Sequence, residues 1–240
     1  MDWSATGKSE RLVELETAWK ECQACGLCKG RTNVVFGEGN PQADIMLVGE
    51  APGETEDREG SPFVGDSGEI LMGLLGALEL TRDSVFITNL VCCRPPKNRQ
   101  PLREEKDACW PRLSQTIYTI DPLLIVPIGK EALQYLVRGR SLDMNHSHGR
   151  LLNAAVKLTQ PPCQFFPQQD DNKKMWSVAY DAIPIYHPAF ILRTDSFDDK
   201  TGRWQRGGIA EKTVADFKYI VDRVSALRQI YNKIELSFER

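Results

Sequence analysis

The chain has 240 residues, of which 26% are charged and 41% hydrophobic, proportions that are ordinary for one soluble α/β domain. Its formal net charge of −3 excludes binding to nucleic acid through a globally basic surface, although a local basic patch is enough to contact a few phosphates. No apolar run reaches the roughly 18 residues that a membrane span requires, and no secretory segment is recognisable. We therefore expect a cytoplasmic protein without membrane contact.

The chain opens with a predicted amphipathic helix over residues 9–21, where apolar residues recur at helical spacing. Four short apolar runs then predict buried strands at 45–49, 85–91, 123–129 and 182–186. Helical patterns lie between and after these runs, at 67–80, 102–120, 130–138 and about 208–234. This alternation predicts a three-layer α/β/α fold whose central sheet is four-stranded and mainly parallel.

Residues 150–181 show neither pattern clearly. Two adjacent prolines follow Gln160, and polar residues fill 168–174, which indicates an exposed loop or hairpin excursion. No internal repeat and no linker-like segment divides the chain. We therefore interpret residues 1–240 as one domain, and we expect it to act as a monomer.

Polar segments rich in glycine or proline follow the predicted strands. They lie at 49–57, 92–99, 129–130 and 187–190. In an open α/β sheet the ligand binds beyond the carboxyl ends of the strands, because the connecting loops converge there. The positions of these segments therefore predict a functional site at that edge of the sheet.

Seven cysteines, an odd number in a chain expected to stay reduced, indicate metal binding or chemistry rather than disulfides. Cys22 and Cys25 form a C-x2-C pair, whereas Cys93 and Cys109 lie in a distant segment. Four thiolates from two such segments can close a zinc site or hold a [4Fe–4S] cluster, and the spacing alone leaves both open. Unconnected buried cysteines are a third interpretation, since free cysteine packs as a small hydrophobic residue. The cysteines left over are Cys28, Cys92 and Cys163.

From Cys22 to the end, the order of several motifs resembles the family 4 uracil-DNA glycosylases, the iron–sulfur branch of the uracil-DNA glycosylase superfamily. These motifs are the C-x2-C pair, GRTNVVFGEGN at 30–40, GEAPG at 49–53, PFVG at 62–65, Thr88-Asn89, CRPPKNR at 93–99, Cys109 and HPA at 187–189. The resemblance implies a four-stranded parallel sheet between helices. It also implies a [4Fe–4S] cluster on Cys22, Cys25, Cys93 and Cys109.

The activity that the resemblance implies is to flip uracil out of DNA and hydrolyse its N-glycosidic bond, which leaves an abasic site. Phe63 is then the ring that stacks on the base, and the Asn89 amide donates to uracil O4 and accepts from N3–H. His187 donates toward uracil O2 and stabilises the charge of the leaving base. Residues 94–101 contain no histidine, through which a related branch traps DNA covalently, so we expect an ordinary hydrolytic member.

The residue that positions water is the difficult assignment. Ala51 stands at the third position of the first motif, where the best-known branch of the superfamily carries an aspartate, so it can line the uracil pocket but cannot act as a base. We assign the nearby carboxylates Glu50 and Glu56 to catalysis, and Glu56 best matches the family residue proposed to hold water. Weak positioning is sufficient, because departure of the base leaves a reactive, oxocarbenium-like sugar.

We expect uracil-containing DNA to be held by local cations and by an apolar wedge. The predicted phosphate contacts are Arg94, Lys97, Arg99 and Arg193. Leu192 or Ile191, just after the histidine motif, can insert into the base stack where the nucleotide has left it.

Two other functions remain possible on the residues alone. One is a non-catalytic iron–sulfur protein that binds damaged or single-stranded DNA. The other is a zinc-stabilised α/β module that binds nucleotides. Only the glycosylase needs Phe63, Asn89 and His187 together, and the chain carries all three.

Overall fold

The computed structural model describes residues 5–137, 142–158, 176–198 and 203–238. Its α-helices are α1 (Ala5–Trp19), α2 (Glu54–Glu59), α3 (Asp66–Gly76), α4 (Arg103–Ile120), α5 (Gly129–Leu136), α6 (Met144–Ser147), α7 (Pro188–Thr194) and α8 (Ile209–Phe238). Its strands are β1 (Glu38–Gly39), β2 (Ile45–Gly49), β3 (Phe86–Asn89), β4 (Leu124–Pro127), β5 (Leu152–Leu158), β6 (Trp176–Ala182), β7 (Phe197–Asp198) and β8 (Arg203–Trp204). None of the helices in these ranges combines the length and apolar character needed to cross a membrane.

The central sheet has six strands in the order β1-β3-β2-β4-β6-β5. The four inner strands run parallel, whereas β1 and β5 pair antiparallel at the two edges. The predicted mainly parallel α/β sheet is confirmed, with two edge strands beyond the predicted four. β1 is too short to leave a pattern in the sequence, and β5 lies in the segment whose pattern is weak.

The fourth parallel strand lies earlier in the chain than predicted. We predicted it at 182–186, but β6 ends at Ala182, and Ile185 makes only an isolated bridge to Ile128. Ile183 and Ile185 are buried, so their apolar character resembles that of a strand although Pro184 stands between them. Within 150–181, β5 and β6 pair antiparallel, while the predicted exposed segment 168–174 and Cys163 lie outside the described residues.

Helices cover both faces of the sheet. Ile45 and Leu47 point into a core that is completed by α3, α7 and α8. Met46 and Val48 point the other way, into a core that is completed by α1, α4 and α5. Successive residues of one strand thus serve two cores, which explains the continuous apolar runs in the sequence. The result is the predicted three-layer arrangement, with the loops of the parallel strands at one edge.

Candidate active site

A cleft of about 420 Å³ opens at the carboxyl ends of β2, β3 and β4. Eight of the predicted site residues line it: Glu50, Ala51, Glu56, Phe63, Asn89, Arg99, His187 and Arg193. Three others lie outside it: Arg94 and Lys97 line a neighbouring pocket, and Leu192 is exposed on α7. The fold therefore brings together residues from four separate segments, as the positions of the loops predicted.

The Phe63 ring is held at the cleft by an unusual backbone conformation. Phe63 has a φ of 52°, a left-handed value that is uncommon outside glycine, and its carbonyl accepts a hydrogen bond from the Arg82 guanidinium at 2.7 Å. A Cβ at Gly49 would lie 2.7 Å from the ring, and one at Gly68 would overlap the Phe63 carbonyl. The two glycines therefore allow the ring to sit 6.1 Å from the His187 ring, centroid to centroid.

Asn89 ends β3 and is only 2% exposed. Hydrogen bonding of the Leu90 N–H to the Gly49 carbonyl at 2.9 Å fixes the peptide that follows it, and a Cβ at Gly49 would overlap Asn89 Oδ1. Among the described residues, the Asn89 side-chain amide makes no hydrogen bond. A rigid buried amide without a protein partner can pair with a ligand that enters the cleft.

His187 caps the N-terminus of α7, where its Nδ1 accepts the Ala189 N–H at 3.1 Å. Burial, followed by the positive charge of Arg193, lowers the pKa of His187 to about 4 even though Glu56 opposes the shift. The imidazole is therefore neutral at physiological pH. Because Nδ1 is an acceptor, the proton lies on Nε2, which leaves that atom as a hydrogen-bond donor.

The Glu56 carboxylate joins two loops of the cleft wall. Its Oε2 accepts the Gly53 N–H at 3.0 Å, and its Oε1 accepts the N–H groups of Val64 and Gly65 at 3.0 and 2.8 Å. Both carboxylate oxygens are thus engaged by the backbone next to Phe63. This side chain holds the loop that follows Phe63, in addition to the role with water that we predict for it.

Glu50 differs from Glu56 because its carboxyl group has no hydrogen-bond partner among the described residues. Burial, with a smaller contribution from the charge of Glu131, raises the pKa of Glu50 to about 7, against the effect of Lys106. Lys106 is itself paired with Glu131 at 2.8 Å. The cleft therefore contains a carboxyl group that changes its protonation near neutral pH.

The predicted DNA contacts divide into paired and unpaired cations. Arg94 forms an ion pair with Glu54 at 2.8 Å, and Arg99 binds both oxygens of Glu105 at 2.7 and 2.9 Å. Arg193 and Lys97, in contrast, make no ion pair with a described residue. Arg193 is the predicted cation that both lines the cleft and remains available to a phosphate.

The cleft also contains residues to which we assigned no role. Asn98 and Lys130, from two of the predicted loop segments, line it together with Glu131. Asn98 has a left-handed φ of 53°, and its Oδ1 accepts the Arg94 Nε–H at 2.7 Å. The sequence offered one signal for Asn98, namely an asparagine in a segment that follows a predicted strand. We considered 94–101 only for its positive charges and its lack of histidine.

Six cysteines surround one small cavity beside the cleft: Cys22, Cys25, Cys28, Cys92, Cys93 and Cys109. The first three precede β1, the next two follow β3 and the last is on α4. Arg31 lies at the same cavity, where its guanidinium donates to the Cys22 carbonyl at 2.6 Å and to Cys93 Sγ at 3.4 Å. In the described ranges, no three metal-binding side chains are arranged to hold a single metal ion. The donor set, thiols that converge from separate segments with a cation beside them, fits an anionic metal–sulfur group.

The cysteines differ in how readily they ionise. The contact with Cys92 and the hydrogen bond from Arg31 hold the pKa of Cys93 below its usual value although burial opposes this. The contact with Cys92, followed by burial, raises the pKa of Cys109 well above its usual value, and the Arg112 charge opposes that rise. A bound metal replaces the thiol proton, because thiolate is the form that ligates.

Known proteins resemble this chain over most of its length. Residues 36–206 match the family model of the uracil DNA glycosylase superfamily. The chain belongs to this superfamily. A type-4 uracil-DNA glycosylase of Thermotoga maritima is 38% identical over 188 residues, which cover 78% of this chain and 86% of that protein. A type-4 enzyme of Saccharolobus solfataricus is 49% identical over 126 residues, or 52% of this chain and 58% of that protein.

Similarity to other branches covers less of the chain. A type-5 uracil-DNA glycosylase of Thermus thermophilus is 35% identical over 119 residues, which cover 43% of this chain and 53% of that protein. The predicted resemblance to the family 4 enzymes is thus confirmed. The names of these relatives also agree with the predicted uracil-DNA glycosylase activity.

Proposed function

We propose that this protein binds uracil-containing DNA, flips the uracil nucleotide into the cleft and hydrolyses its N-glycosidic bond. The observation that carries the proposal is the convergence of Phe63, Asn89 and His187 on one cleft, where the amide and the ring N–H have no partner among the residues that the structure describes. Superfamily membership supports the same reaction. Extrusion of the base is required because a stacked nucleotide hides its glycosidic bond.

Base recognition rests on Asn89 and Phe63. The Asn89 amide donates to uracil O4 and accepts from uracil N3–H, and cytosine presents the opposite pattern at both atoms. Because the amide is buried, a base that leaves it unpaired binds more weakly. The lost binding free energy is the cost of desolvating the amide. The Phe63 ring supplies the stacking surface that any pyrimidine uses, so discrimination belongs to Asn89.

His187 supplies the stabilisation of the leaving base. Its Nε2–H donates toward uracil O2, where negative charge develops as the glycosidic bond breaks. A neutral imidazole keeps its proton at physiological pH and needs no reorganisation when that charge appears. The hydrogen bond from Ala189 maintains this tautomer.

Water attacks the oxocarbenium-like sugar after, or as, the base departs. Glu50 and Glu56 are the carboxylates that we propose for positioning this water. Glu50 ionises near neutral pH, and its carboxylate oxygens accept no hydrogen bond from a described residue. Glu56, in contrast, already accepts three backbone N–H groups. These contacts favour Glu50 for the water and Glu56 for support of the Phe63 loop.

The cysteine cavity is proposed to hold a [4Fe–4S] cluster on Cys22, Cys25, Cys93 and Cys109. This ligand set follows from the family resemblance, and the convergence of these thiols on one cavity supports it. When bound, such a group supplies a covalent link between the N-terminal segment, the loop after β3 and α4. Its role is structural, because nothing in the hydrolysis requires electron transfer.

DNA is proposed to bind across the cleft mouth, with Arg193 and Lys97 on phosphates and Leu192 in the gap that the flipped nucleotide leaves. Leu192 is 43% exposed, and a side chain that inserts between bases must be exposed in the free protein. Arg94 and Arg99 contact phosphate only if they exchange their carboxylate partners. The monomeric state and the cytoplasmic location remain predictions.

The decisive experiment is single-turnover incubation of the iron-loaded protein with a single-stranded oligonucleotide that contains one uracil. We expect free uracil, an abasic site and no protein–DNA adduct. Asn89→Asp is expected to lose uracil cleavage, because the carboxylate cannot donate to O4 and repels the uracil anion. A faint cytosine cleavage at low pH, where the carboxyl group is protonated, would agree with this assignment.

Two results would contradict the proposal. Protein that binds the oligonucleotide but releases no uracil would favour the alternative, a non-catalytic iron–sulfur protein that binds damaged or single-stranded DNA. Wild-type uracil cleavage by Asn89→Asp would show that Asn89 does not recognise the base.

A further inference from the structure

Arg112, on α4, is fully buried and contacts the carboxyl end of β3. Its guanidinium donates to the Asn89 carbonyl at 2.6 Å, and to Thr88 Oγ1 and the Phe36 carbonyl at 3.0 Å each. A longer contact of 3.4 Å reaches the Leu90 carbonyl. Arg112 therefore holds the backbone that immediately follows the base-recognising amide.

Arg112 forms no ion pair with any residue that the structure describes. An arginine side chain stays protonated in a protein, so burial without a charged partner is costly. Among the described residues, its hydrogen-bond acceptors are three carbonyls and one hydroxyl, all of them neutral. Its Nε has no partner there at all. The Phe36 ring, 5.7 Å from the guanidinium carbon, offsets part of this cost, and a nearby negative charge would offset more.

The cysteine cavity can supply that charge. Cys109 and Arg112 are three residues apart on α4 and therefore lie on the same side of the helix. Cys92 and Cys93 lie just beyond Leu90, the last residue that Arg112 contacts, and Cys92 Sγ lies 3.6 Å from Cys109 Sγ. Four thiolates outweigh the positive charge of an oxidised [4Fe–4S] core, so the loaded site is anionic.

We propose that Arg112 is a positioning residue that couples the cysteine site to base recognition. The anionic site balances its charge, and its N–H groups fix the Asn89 peptide so that the amide faces the cleft. This inference rests on the proposed function, since it assumes both the cluster and uracil recognition by Asn89. The proposed function does not include this dependence of the Asn89 geometry on whether the cysteine site is loaded. The cysteine site acts through Arg112 and does not contact the base.

The test compares iron-loaded wild type with Arg112→Gln, Arg112→Lys and a matched control, Arg103→Gln. Arg103 lies on the same helix, is exposed and pairs with Asp107, so the control removes the same charge from a place that touches neither site. Two quantities are measured: the reduction potential of the protein by an EPR-monitored redox titration, and kcat and KM for a uracil-containing single strand.

Arg112→Gln should lower the reduction potential, because a nearby positive charge favours the more negative, reduced state. It should also lower kcat roughly ten- to hundredfold, the effect of losing a hydrogen bond from a charged group, with a smaller change in KM. Arg112→Lys should keep the potential near that of wild type because the charge remains. Its kcat should still fall, since an ammonium group cannot span the carbonyls that the guanidinium fork spans. Arg103→Gln should leave both quantities unchanged.

The inference is overturned if Arg112→Gln has the potential and the kcat of Arg103→Gln. If Arg112→Gln does not fold, Arg112→Lys decides: a wild-type kcat overturns the inference, and a reduced kcat with a wild-type potential supports it. Wild-type protein without iron or without uracil release defeats the proposed function and this inference together. That result is therefore distinct from a failure at Arg112 alone.

Discussion

The cleft and the cysteine cavity lie at opposite ends of the short segment 89–93, yet their side chains are held in different ways. In the cleft, backbone hydrogen bonds fix His187 and the Asn89 peptide, and close-fitting glycines confine the Phe63 ring. In the cavity, the thiols contact one another and Arg31, and the Ala24 N–H reaches Cys22 Sγ at 3.5 Å. The cleft is therefore held by close backbone contacts, whereas the contacts of the sulfurs are long, and a bound group would fix them more firmly.

The largest expected effect follows from removal of a proposed cluster ligand in the cysteine cavity. Cys109→Ala should lose the iron and its colour, and lower the free energy of unfolding by about 3–5 kcal/mol, as expected when one partner of a buried charged site is removed. Cys28→Ala, in the same cavity but outside the proposed ligand set, is the control and should retain its iron. Iron analysis and denaturant unfolding measure both effects. Stoichiometric zinc without iron in anaerobically purified wild type would refute the cluster.

The next-largest effect concerns the Nε2–H donor of His187 in the cleft. His187→Ala should slow single-turnover uracil cleavage by roughly 10²–10³, or about 2.7–4 kcal/mol, the usual cost of losing one preorganised donor. The preference for uracil over cytosine should not change, because O2 is common to both bases. His146→Ala, an exposed histidine paired with Asp143, is the control. A rate within twofold of wild type for His187→Ala would exclude the role of His187.

A smaller effect tests whether close packing builds the cleft. Gly49→Ala places a methyl group against both Asn89 and Phe63, so it should destabilise the protein by about 1–3 kcal/mol. Displacement of Asn89 should reduce cleavage by roughly 10². Gly73→Ala, on α3 with open space around its Cβ position, should be neutral or stabilising by about 0.5–1 kcal/mol. Wild-type kinetics for Gly49→Ala would mean that the cleft is more compliant than its packing indicates.

The smallest expected effect separates the two carboxylates of the cleft. Wild-type cleavage should rise as the pH passes about 7, because the ionised fraction of Glu50 increases there. Glu50→Gln should be independent of pH in this range and about tenfold slower at pH 8, a modest factor because water needs only weak positioning. Glu54→Gln, exposed and paired with Arg94, should keep the wild-type profile. A pH profile for Glu50→Gln that follows wild type would remove Glu50 from the reaction.

Much of the fold was predictable because parallel strands are buried on both faces. Three of the four predicted strands overlap β2, β3 and β4, whose residues are all buried. The fourth was misplaced because Ile183 and Ile185 are buried beyond the end of β6, and an apolar run does not distinguish a strand from a buried extension. The two-residue β1 leaves no periodic pattern, so only its pairing with β3 reveals it.

The cleft residues were predictable where a motif carried them, and were missed where packing alone placed them. Phe63, Asn89 and His187 stand in the motifs PFVG, Thr88-Asn89 and HPA, through which the chain resembles the family 4 enzymes. Lys130 and Glu131 line the same cleft because α5 begins directly after β4. The segment 129–130 was predicted to reach this edge of the sheet, but nothing in its sequence gave Lys130 a role or extended the site to Glu131.

The sequence by itself determined the alternating strands and helices, the superfamily motifs and the two cysteine segments, because each is a short-range pattern of residue types. Tertiary structure alone decided which charges are engaged and which are available. Arg99 is paired with Glu105, Arg193 is not paired with a described residue, and Arg112 is buried among neutral acceptors. It also decided that His187 is neutral, because burial and the charge of Arg193 set its pKa. Ionisation and pairing depend on solvent exclusion and on neighbours distant in the chain, and only the folded molecule supplies these.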